Sequence, residues 1–150
     1  SLSTDNNVDL LHYNEIKVLP LICYESIFGD MITGRNSNVI AVITNDGWWK
    51  NSSGYKQHFQ YARLRAIEQR KSIIRSANTG ISGLISPNGD VIRQTQWDEE
   101  IALNIKVSLN DTVTFYNRFG DLIGRIFSFI SVLLLFSSLV KYKTKKIPTS

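Results

Sequence analysis

The sequence predicts an α/β domain followed by one membrane-spanning helix. Two short apolar runs, at residues 18–23 and 39–44, have the length of buried strands. A stretch at residues 55–77 has apolar side chains at helical spacing, and residues 126–140 contain no charged side chain. The 150 residues are enough for one packed domain and too few for two.

The two apolar runs predict a parallel pair of strands. Pro20 lies within the first run and removes one backbone donor there. Residues 27–33, between the runs, favour a short helix that ends at Gly34. Strand, helix and strand in close succession indicate a βαβ unit, whose two strands are parallel.

The remaining elements are one long helix, a hairpin and a further strand. The helix is amphipathic, and Gly80 follows its end. The hairpin is predicted by Asn88-Gly89, a pair that tolerates the positive φ of a tight turn. We expect the helix at residues 55–77, the two hairpin strands at 81–86 and 91–94, and the last strand at 101–107.

The positive charge of the chain is concentrated in its last ten residues. The net charge is +4, and of the 17 Lys and Arg residues four lie in this tail, so that the remainder equals the 13 Asp and Glu. A basic cluster beside an apolar segment favours a membrane surface as the partner and argues against nucleic acid, which needs a basic face on the folded domain. The four residues are Lys141, Lys143, Lys145 and Lys146.

The apolar segment is long enough to cross a membrane if it begins at Leu122. The 15 residues 126–140 cover roughly 23 Å as a helix, less than the ~30 Å of the hydrocarbon core. The longer span contains Arg125, which can extend to the lipid headgroups. We therefore predict a folded domain at 1–118, a transmembrane helix at 119–140 and a basic cytoplasmic tail at 141–150, with the domain on the extracytoplasmic side. The alternatives are a buried core helix or an interfacial helix.

Cys23 is a candidate nucleophile because it ends a predicted strand just before a predicted helix. A helix N-terminus favours a thiolate, and the backbone N–H groups after the cysteine face a developing oxyanion. A thiolate attacks ester or amide carbonyls and forms a thioester. Arg75 and Asn78 are candidates to buttress this site. The alternative is that Cys23 is a buried core residue. With one Cys and two His we predict no metal site.

The residues around Cys23 resemble a known family. Leu21-Ile22-Cys23-Tyr24-Glu25 is similar to the nucleophile segment of the nitrilase superfamily, in its apolipoprotein N-acyltransferase form. Further motifs of that family follow in the same order, and ordinary soluble nitrilases lack the final transmembrane helix. These motifs are Thr44-Asn45-Asp46-Gly47-Trp48-Trp49, Gln57-His58-Phe59, Ala62-Arg63-Leu64-Arg65-Ala66-Ile67-Glu68, Arg75-Ser76-Ala77-Asn78-Thr79-Gly80-Ile81-Ser82 and Pro87-Asn88-Gly89.

The resemblance implies a fold, a reaction and a location. The fold is part of a nitrilase-like α-β-β-α sandwich with a Glu–Lys–Cys catalytic set. Cys23 corresponds to the nucleophile, and Tyr24 and Glu25 correspond to adjacent residues that the family needs. The cysteine takes an acyl group from a phospholipid and passes it to the N-terminal amine of a diacylglyceryl lipoprotein, at the inner membrane of a bacterium. We expect no cofactor.

The chain departs from the family pattern upstream of Cys23. The family's catalytic Glu and Lys lie well before the cysteine, and only 22 residues precede it here. Glu15 and Lys17 are the only Glu and Lys among them and lie too close to the strand to serve. We therefore expect the chain to be the C-terminal part of a longer enzyme and inactive by itself.

Five further residues are predicted to contact substrate. Trp48 and Trp49 would line an acyl or lipoprotein pocket, and the alternative is that they are core or membrane-interface aromatics. Asn45 and Asp46 are predicted from the resemblance, although such residues are more often turn formers. His58 is predicted on the same ground, with a structural hydrogen-bonding role as the alternative.

Two other functions are compatible with the sequence. The first is a membrane-anchored carbon–nitrogen hydrolase or amidase, in which water replaces the lipoprotein amine. The second is a non-catalytic, membrane-tethered domain in which Cys23 is a core residue. Three observations distinguish the functions. An acyl group on Cys23 supports the acyltransferase, adducts with small amides only support the amidase, and an inert thiol supports the non-catalytic domain.

Overall fold

Six strands form one mixed sheet whose strand order follows chain order. The strands are β1 (Leu11–Tyr13), β2 (Ile16–Ile22), β3 (Val39–Thr44), β4 (Ser72–Ala77), β5 (Gly83–Ile85) and β6 (Val91–Gln94). Strands β2, β3 and β4 are parallel, and antiparallel strands flank them on both sides. The computed structural model describes residues 9–145, with side chains described as far as residue 141. The predicted α/β class is confirmed.

The first two apolar runs pair in parallel, as predicted. Val18 is opposite Val39, and Ile22 is opposite Ile43. The connection between them holds two 3-10 turns, Cys23–Ile27 and Gly29–Met31, so the short helix predicted at 27–33 is present only as 3-10 turns with earlier bounds. The physical reason is local: side chains of the first turn bond to nearby backbone groups and compete with helical hydrogen bonds.

The long helix is shorter than predicted, because its last part is a strand. Helix α1 (Ser53–Gln69) begins after Ser52, whose hydroxyl accepts a hydrogen bond from the Gly54 N–H. It ends at Arg70, which adopts the left-handed conformation with φ 53°. The chain then enters β4, between β3 and β5. A short run of buried β-branched residues is compatible with both the 3.6-residue period of a helix and the two-residue period of a strand. The apolar pattern alone therefore did not separate helix from strand here.

One face of α1 packs on the sheet and forms the core. Apolar side chains from the helix and from the central strands are fully buried there, which removes their surface from water. The main members are Leu19, Leu21, Ile40, Val42, Phe59, Ala62, Ala66, Ile73 and Ile85. This packing places the start of α1 beside the carboxyl ends of β2, β3 and β4.

The hairpin is confirmed, and the strand predicted at 101–107 is wrong. Gly89 has φ 83° in the turn between β5 and β6. Residues 99–114 form neither helix nor strand. Side chains hold part of this backbone in place of a strand partner: Lys71 Nζ donates to the carbonyls of Asn110 and Thr112.

Two helices follow. Helix α2 (Phe115–Phe119) belongs to the first compact unit, Ser1–Gly120. Helix α3 (Leu122–Lys145) forms the second unit, Asp121–Ser150. Residues Leu122–Lys141 of α3 are long and apolar enough to cross a membrane. The helix continues past residue 140, the end of the predicted transmembrane segment, and the rest of the predicted tail lies outside the described residues.

Candidate functional site

Cys23 lies at the end of β2 in a strained backbone conformation. Its φ is 52°, in the left-handed region that L residues other than Gly, Asn and Asp seldom occupy. The N–H of Ile22 donates to Glu25 Oε2 at 2.7 Å, which stabilises the turn that follows. The helix N-terminus predicted at Cys23 belongs to a 3-10 turn of five residues, which is too short to supply the dipole of an α-helix. The strain, of order 1–3 kcal/mol, is a feature of residues held at functional sites.

Beneath Cys23 lies a buried ionic cluster centred on Asp46. The Asp46 carboxylate is fully buried and accepts hydrogen bonds from His58 Nδ1 at 2.9 Å, Arg75 Nη2 at 2.5 Å and the Thr44 hydroxyl at 2.9 Å. Burial by itself raises the pKa of Asp46. The hydrogen bond from His58 and the charge of Arg75 outweigh that effect, so the pKa lies below its usual value.

The cluster is connected to the backbone of Cys23 through His58. The imidazole is 3% exposed, and its Nε2 lies 3.2 Å from the Cys23 carbonyl oxygen. The same nitrogen lies 3.0 Å from Ser26 Oγ, and the Ser26 hydroxyl donates to the Cys23 carbonyl at 2.8 Å. The turn after β2 and α1 therefore meet at the Cys23 carbonyl, and the loop after β3 is joined to them through the bond between Asp46 and His58.

Aromatic rings lie on the outer side of His58. The centroids of Tyr24, Trp49 and His58 are each 5.5 Å apart, and Tyr24 stacks on the imidazole. A small cavity of about 90 Å³ opens beside them. It is lined by Tyr24, Ile27, Trp49, Gly54, Gln57, His58 and Tyr61. A larger cavity, about 650 Å³, lies along α1 and the residues after β6, and none of these rings lines it.

The structure brings most of the predicted site residues together. Cys23, Tyr24, Asp46, Trp49 and His58 form one continuous set of contacts. The other predicted residues have local or exposed positions: Glu25 bonds to the Ile22 N–H, Asn45 Oδ1 accepts from the Gly47 N–H at 3.1 Å, and Trp48 is 87% exposed.

Sequence reasoning missed Ser26 and Thr44. Both are small hydroxyl residues near a predicted site residue, Ser26 three positions after Cys23 and Thr44 two before Asp46. Such spacings are common in turns, so they carry little signal by themselves. No group of three His, Cys, Asp or Glu side chains within residues 9–145 is close enough to hold a metal ion.

Comparison with known proteins identifies the family. The carbon–nitrogen hydrolase family model matches residues 3–115. The apolipoprotein N-acyltransferase of Rickettsia bellii is 36% identical over 148 residues, covering 95% of this chain and 28% of that protein. The apolipoprotein N-acyltransferase of Bradyrhizobium diazoefficiens is 42% identical over 118 residues, covering 77% of this chain and 22% of that protein. The chain thus spans about a quarter of these relatives.

Solved structures show the same fold. A carbon–nitrogen hydrolase from Helicobacter pylori superposes with a TM-score of 0.56 at 11% identity, covering 64% of this chain and 42% of that one. A CN-hydrolase superfamily protein from Xanthomonas campestris, with an arsenic adduct in its active site, superposes with a TM-score of 0.52 at 15% identity, covering 61% and 40%. The structural matches confirm the predicted nitrilase-like fold. The family model and the curated relatives confirm the resemblance read from the sequence. The chain belongs to the carbon–nitrogen hydrolase family and is similar to part of its apolipoprotein N-acyltransferases.

Proposed function

We propose that this chain is part of an acyltransferase that uses Cys23 as its nucleophile. The acyl group comes from a phospholipid and goes to the N-terminal amine of a diacylglyceryl lipoprotein. The names of the relatives support the general reaction. The observation that carries the proposal for this chain is the left-handed backbone of Cys23, whose carbonyl is contacted by buried His58.

The proposed reaction has two steps. In the first, the Cys23 thiol gives its proton to a general base, for which we propose the family's Glu, and the thiolate attacks the ester carbonyl of the phospholipid. A C–S bond forms, the C–O bond breaks, and the lysophospholipid oxygen takes that proton from the base and leaves as an alcohol. In the second, the lipoprotein amine attacks the thioester; a C–N bond forms, the C–S bond breaks, and the proton that the amine loses goes to the same base. The thiolate is regenerated, so that no oxidant or cofactor is needed.

The burial of individual residues suggests how the roles divide. Asp46 and His58 are almost completely buried, so we assign them to positioning and not to direct contact with substrate. Tyr24 and Trp49 border the small cavity, and Trp48 is exposed, so these rings are placed for contact with lipid or lipoprotein.

We propose that the family's catalytic Glu and Lys come from outside this chain. The chain spans 28% and 22% of the two relatives described above. Within it, Lys17 Nζ forms an ion pair with Asp111 at 3.0 Å, and the Glu15 side chain is exposed after β1. The coding DNA upstream of Ser1, read in the same frame, tests this proposal. A Glu and a Lys in strand contexts would support it, and a stop codon directly before Ser1 would contradict it.

We further propose that α3 spans the inner membrane of a bacterium, with the Cys23 unit outside the cytoplasm and the lysine-rich end inside. A lipid acyl donor and a lipidated acceptor both require a membrane location. Because this chain has one cysteine, a membrane-impermeant maleimide applied to intact spheroplasts tests the orientation. Label mapped to the Cys23 peptide is expected, and label that appears only after lysis would reverse the assignment.

The test of the reaction is to trap the acyl group on Cys23. The protein is expressed from its natural reading frame in cells fed a clickable fatty acid, with Cys23→Ala as the control. We expect a label on the Cys23 peptide that neutral hydroxylamine removes and that the control lacks. Adducts with small amides but no lipid label would favour the amidase alternative. A thiol that resists alkylation in the folded protein would favour a non-catalytic domain.

A further inference from the structure

We propose that Arg75 is a positioning residue for Cys23, holding the nucleophile's backbone through Asp46 and His58. The inference deepens the proposed function, because it assigns a role to a buried cation that acts on the nucleophile through other residues. It concerns the presentation of the thiol and is therefore testable without any acyl substrate.

The position of Arg75 is unusual for an arginine. It lies in β4, is 2% exposed, and is the largest fully buried side chain of the described chain. Its Nη2 donates to Asp46, its Nε donates to the Ile81 carbonyl at 3.1 Å, and its guanidinium lies 5.9 Å from the Phe59 ring centroid. Burial lowers the pKa of Arg75, and the negative charges of Asp46 and, to a smaller extent, Cys23 oppose this. A charge at such a depth is costly unless its partners compensate it.

Asp46 transmits the position of Arg75 to His58. A carboxylate can only accept hydrogen bonds, so Nδ1–H of His58 must donate to Asp46. Arg75 Nη2 lies 3.3 Å from that same Nδ1, but both nitrogens are donors, so Arg75 acts on the ring through Asp46 and not through a direct hydrogen bond. Gly80 allows the close packing, because a Cβ at this position would lie 2.7 Å from Asp46 Oδ2. The orientation of the imidazole ring is therefore determined by the Arg75–Asp46 pair.

The ring orientation in turn determines what faces Cys23. With Nδ1 on Asp46, Nε2 faces the Cys23 carbonyl and the Ser26 hydroxyl. A residue with positive φ stays in that conformation only if its surroundings hold it there. The contacts at the Cys23 carbonyl are such restraints, and all of them depend on His58 or Ser26. Loss of Arg75 would release His58 and allow Cys23 to relax toward an ordinary strand conformation.

Several charged or titratable groups surround Cys23, and they come from every element packed against it. Arg75 on β4 is the cation of this set. The other groups are acidic, phenolic or imidazole side chains: Tyr24 and Glu25 on the turn after β2, Asp46 on the loop after β3, and His58 on α1. Arg75→Gln therefore removes a positive charge from this set as well as the hydrogen bond to Asp46.

The test measures the rate of Cys23 alkylation by iodoacetamide as a function of pH. The full protein is used in native membranes, and the rate is read at the Cys23 peptide. The variants are Arg75→Gln, Arg75→Lys and the matched control Arg65→Gln. Arg65 is also a buried arginine, 5% exposed, but it bonds to Glu68 and makes no hydrogen bond to Asp46 or His58 within residues 9–145. Thermal unfolding of each variant is measured alongside.

Arg75→Gln is expected to lower the plateau rate of alkylation at high pH several-fold, because Cys23 is no longer held in its left-handed conformation. Arg75→Lys keeps the charge but not the guanidinium geometry, so its plateau rate should be low as well. Arg65→Gln should lose stability without changing the plateau rate. The proposal is overturned if both Arg75 variants alkylate like the wild type, or if Arg65→Gln shows the same loss.

Arg75→Lys gives the decisive reading if Arg75→Gln does not accumulate in membranes. A wild-type plateau rate in the Lys variant would then overturn the proposal, and a lowered plateau rate would support it. Failure of the acyl-trapping experiment would refute the proposed function alone, because alkylation needs no acyl donor. The two ideas are therefore separable.

Discussion

The left-handed backbone of Cys23 predicts that glycine is more stable than alanine at this position. Both substitutions remove the thiol, so the comparison between them isolates the conformational term. At φ 52° an L residue has its Cβ close to the neighbouring carbonyl, whereas glycine has no Cβ and occupies this region freely. We expect Cys23→Gly to be about 1 kcal/mol more stable than Cys23→Ala. For a domain of this size that corresponds to about 4 °C in Tm.

The assay is thermal and denaturant unfolding of the full chain in detergent micelles, followed by tryptophan fluorescence. All three tryptophans, at positions 48, 49 and 97, lie in the first compact unit, so the signal reports the unit that contains Cys23. Trp49 lies 5.5 Å from Tyr24, next to the substituted residue, and is the most sensitive of the three to a local change.

Two other positions calibrate the measurement. Lys50 is exposed and has φ 49°, so Lys50→Gly should likewise exceed Lys50→Ala by about 1 kcal/mol. Ala41 lies within β3, and Ala41→Gly should lose about 0.5–1 kcal/mol, because glycine weakens a regular strand. If Lys50 and Ala41 behave in this way while Cys23→Gly is no more stable than Cys23→Ala, the assignment of backbone strain to Cys23 is refuted.

Three more predictions concern the buried cluster and the apolar helix. Because the folded-state pKa of Asp46 lies below the ordinary value of 3.8 for this side chain, the stability that it supplies is present above about pH 4 and is lost as the pH falls through the lowered pKa. Asp46→Asn should therefore lower the free energy of unfolding by about 3 kcal/mol at pH 7, and this free energy should fall less steeply with acid pH than in the wild type. Denaturant unfolding at a series of pH values measures it, and an equally steep fall in both proteins would contradict the prediction. Gly80→Ala should lower the free energy of unfolding clearly more than Gly34→Ala in the same assay. Both glycines have positive φ, but of the two only Gly80 has a neighbour, Asp46, at 2.7 Å from the added Cβ. Similar losses for the two variants would mean that Asp46 moves away from the added Cβ at little cost. Alkaline carbonate should leave the protein in the membrane fraction if α3 spans the bilayer, and its release without detergent would exclude a transmembrane helix.

Most of the elements were predictable because each has a local physical cause. Short apolar runs predicted β2 and β3, and Asn88-Gly89 predicted the turn between β5 and β6. An uncharged segment predicted the apolar part of α3. In each case the composition or the turn residues of a few neighbouring positions determine the structure, without reference to the rest of the chain.

The strand β4 shows where local patterns fail. Ile73 and Ile74 continue the apolar spacing of α1, and no proline or glycine separates them from the helix. What ends the helix is Arg70 in a left-handed conformation, and what makes the next residues a strand is their pairing with β3 on one side and β5 on the other. Long-range hydrogen bonds therefore decided a boundary that helical periodicity had placed seven or more residues too late.

The sequence by itself determined that Cys23 ends an apolar strand within a family-like segment, and it placed Asp46 and His58 among the candidates. Only the tertiary structure decided what these residues do. Asp46 and Arg75 are 29 positions apart, and His58 and Cys23 are 35 apart, so no spacing rule joins them. They meet because parallel strands deliver their carboxyl ends to one edge of the sheet, where α1 begins. At this buried position an unpaired charge would be strongly destabilising, whereas the hydrogen bonds of the complete cluster are strengthened by the absence of water. The complete cluster can therefore hold the backbone of Cys23.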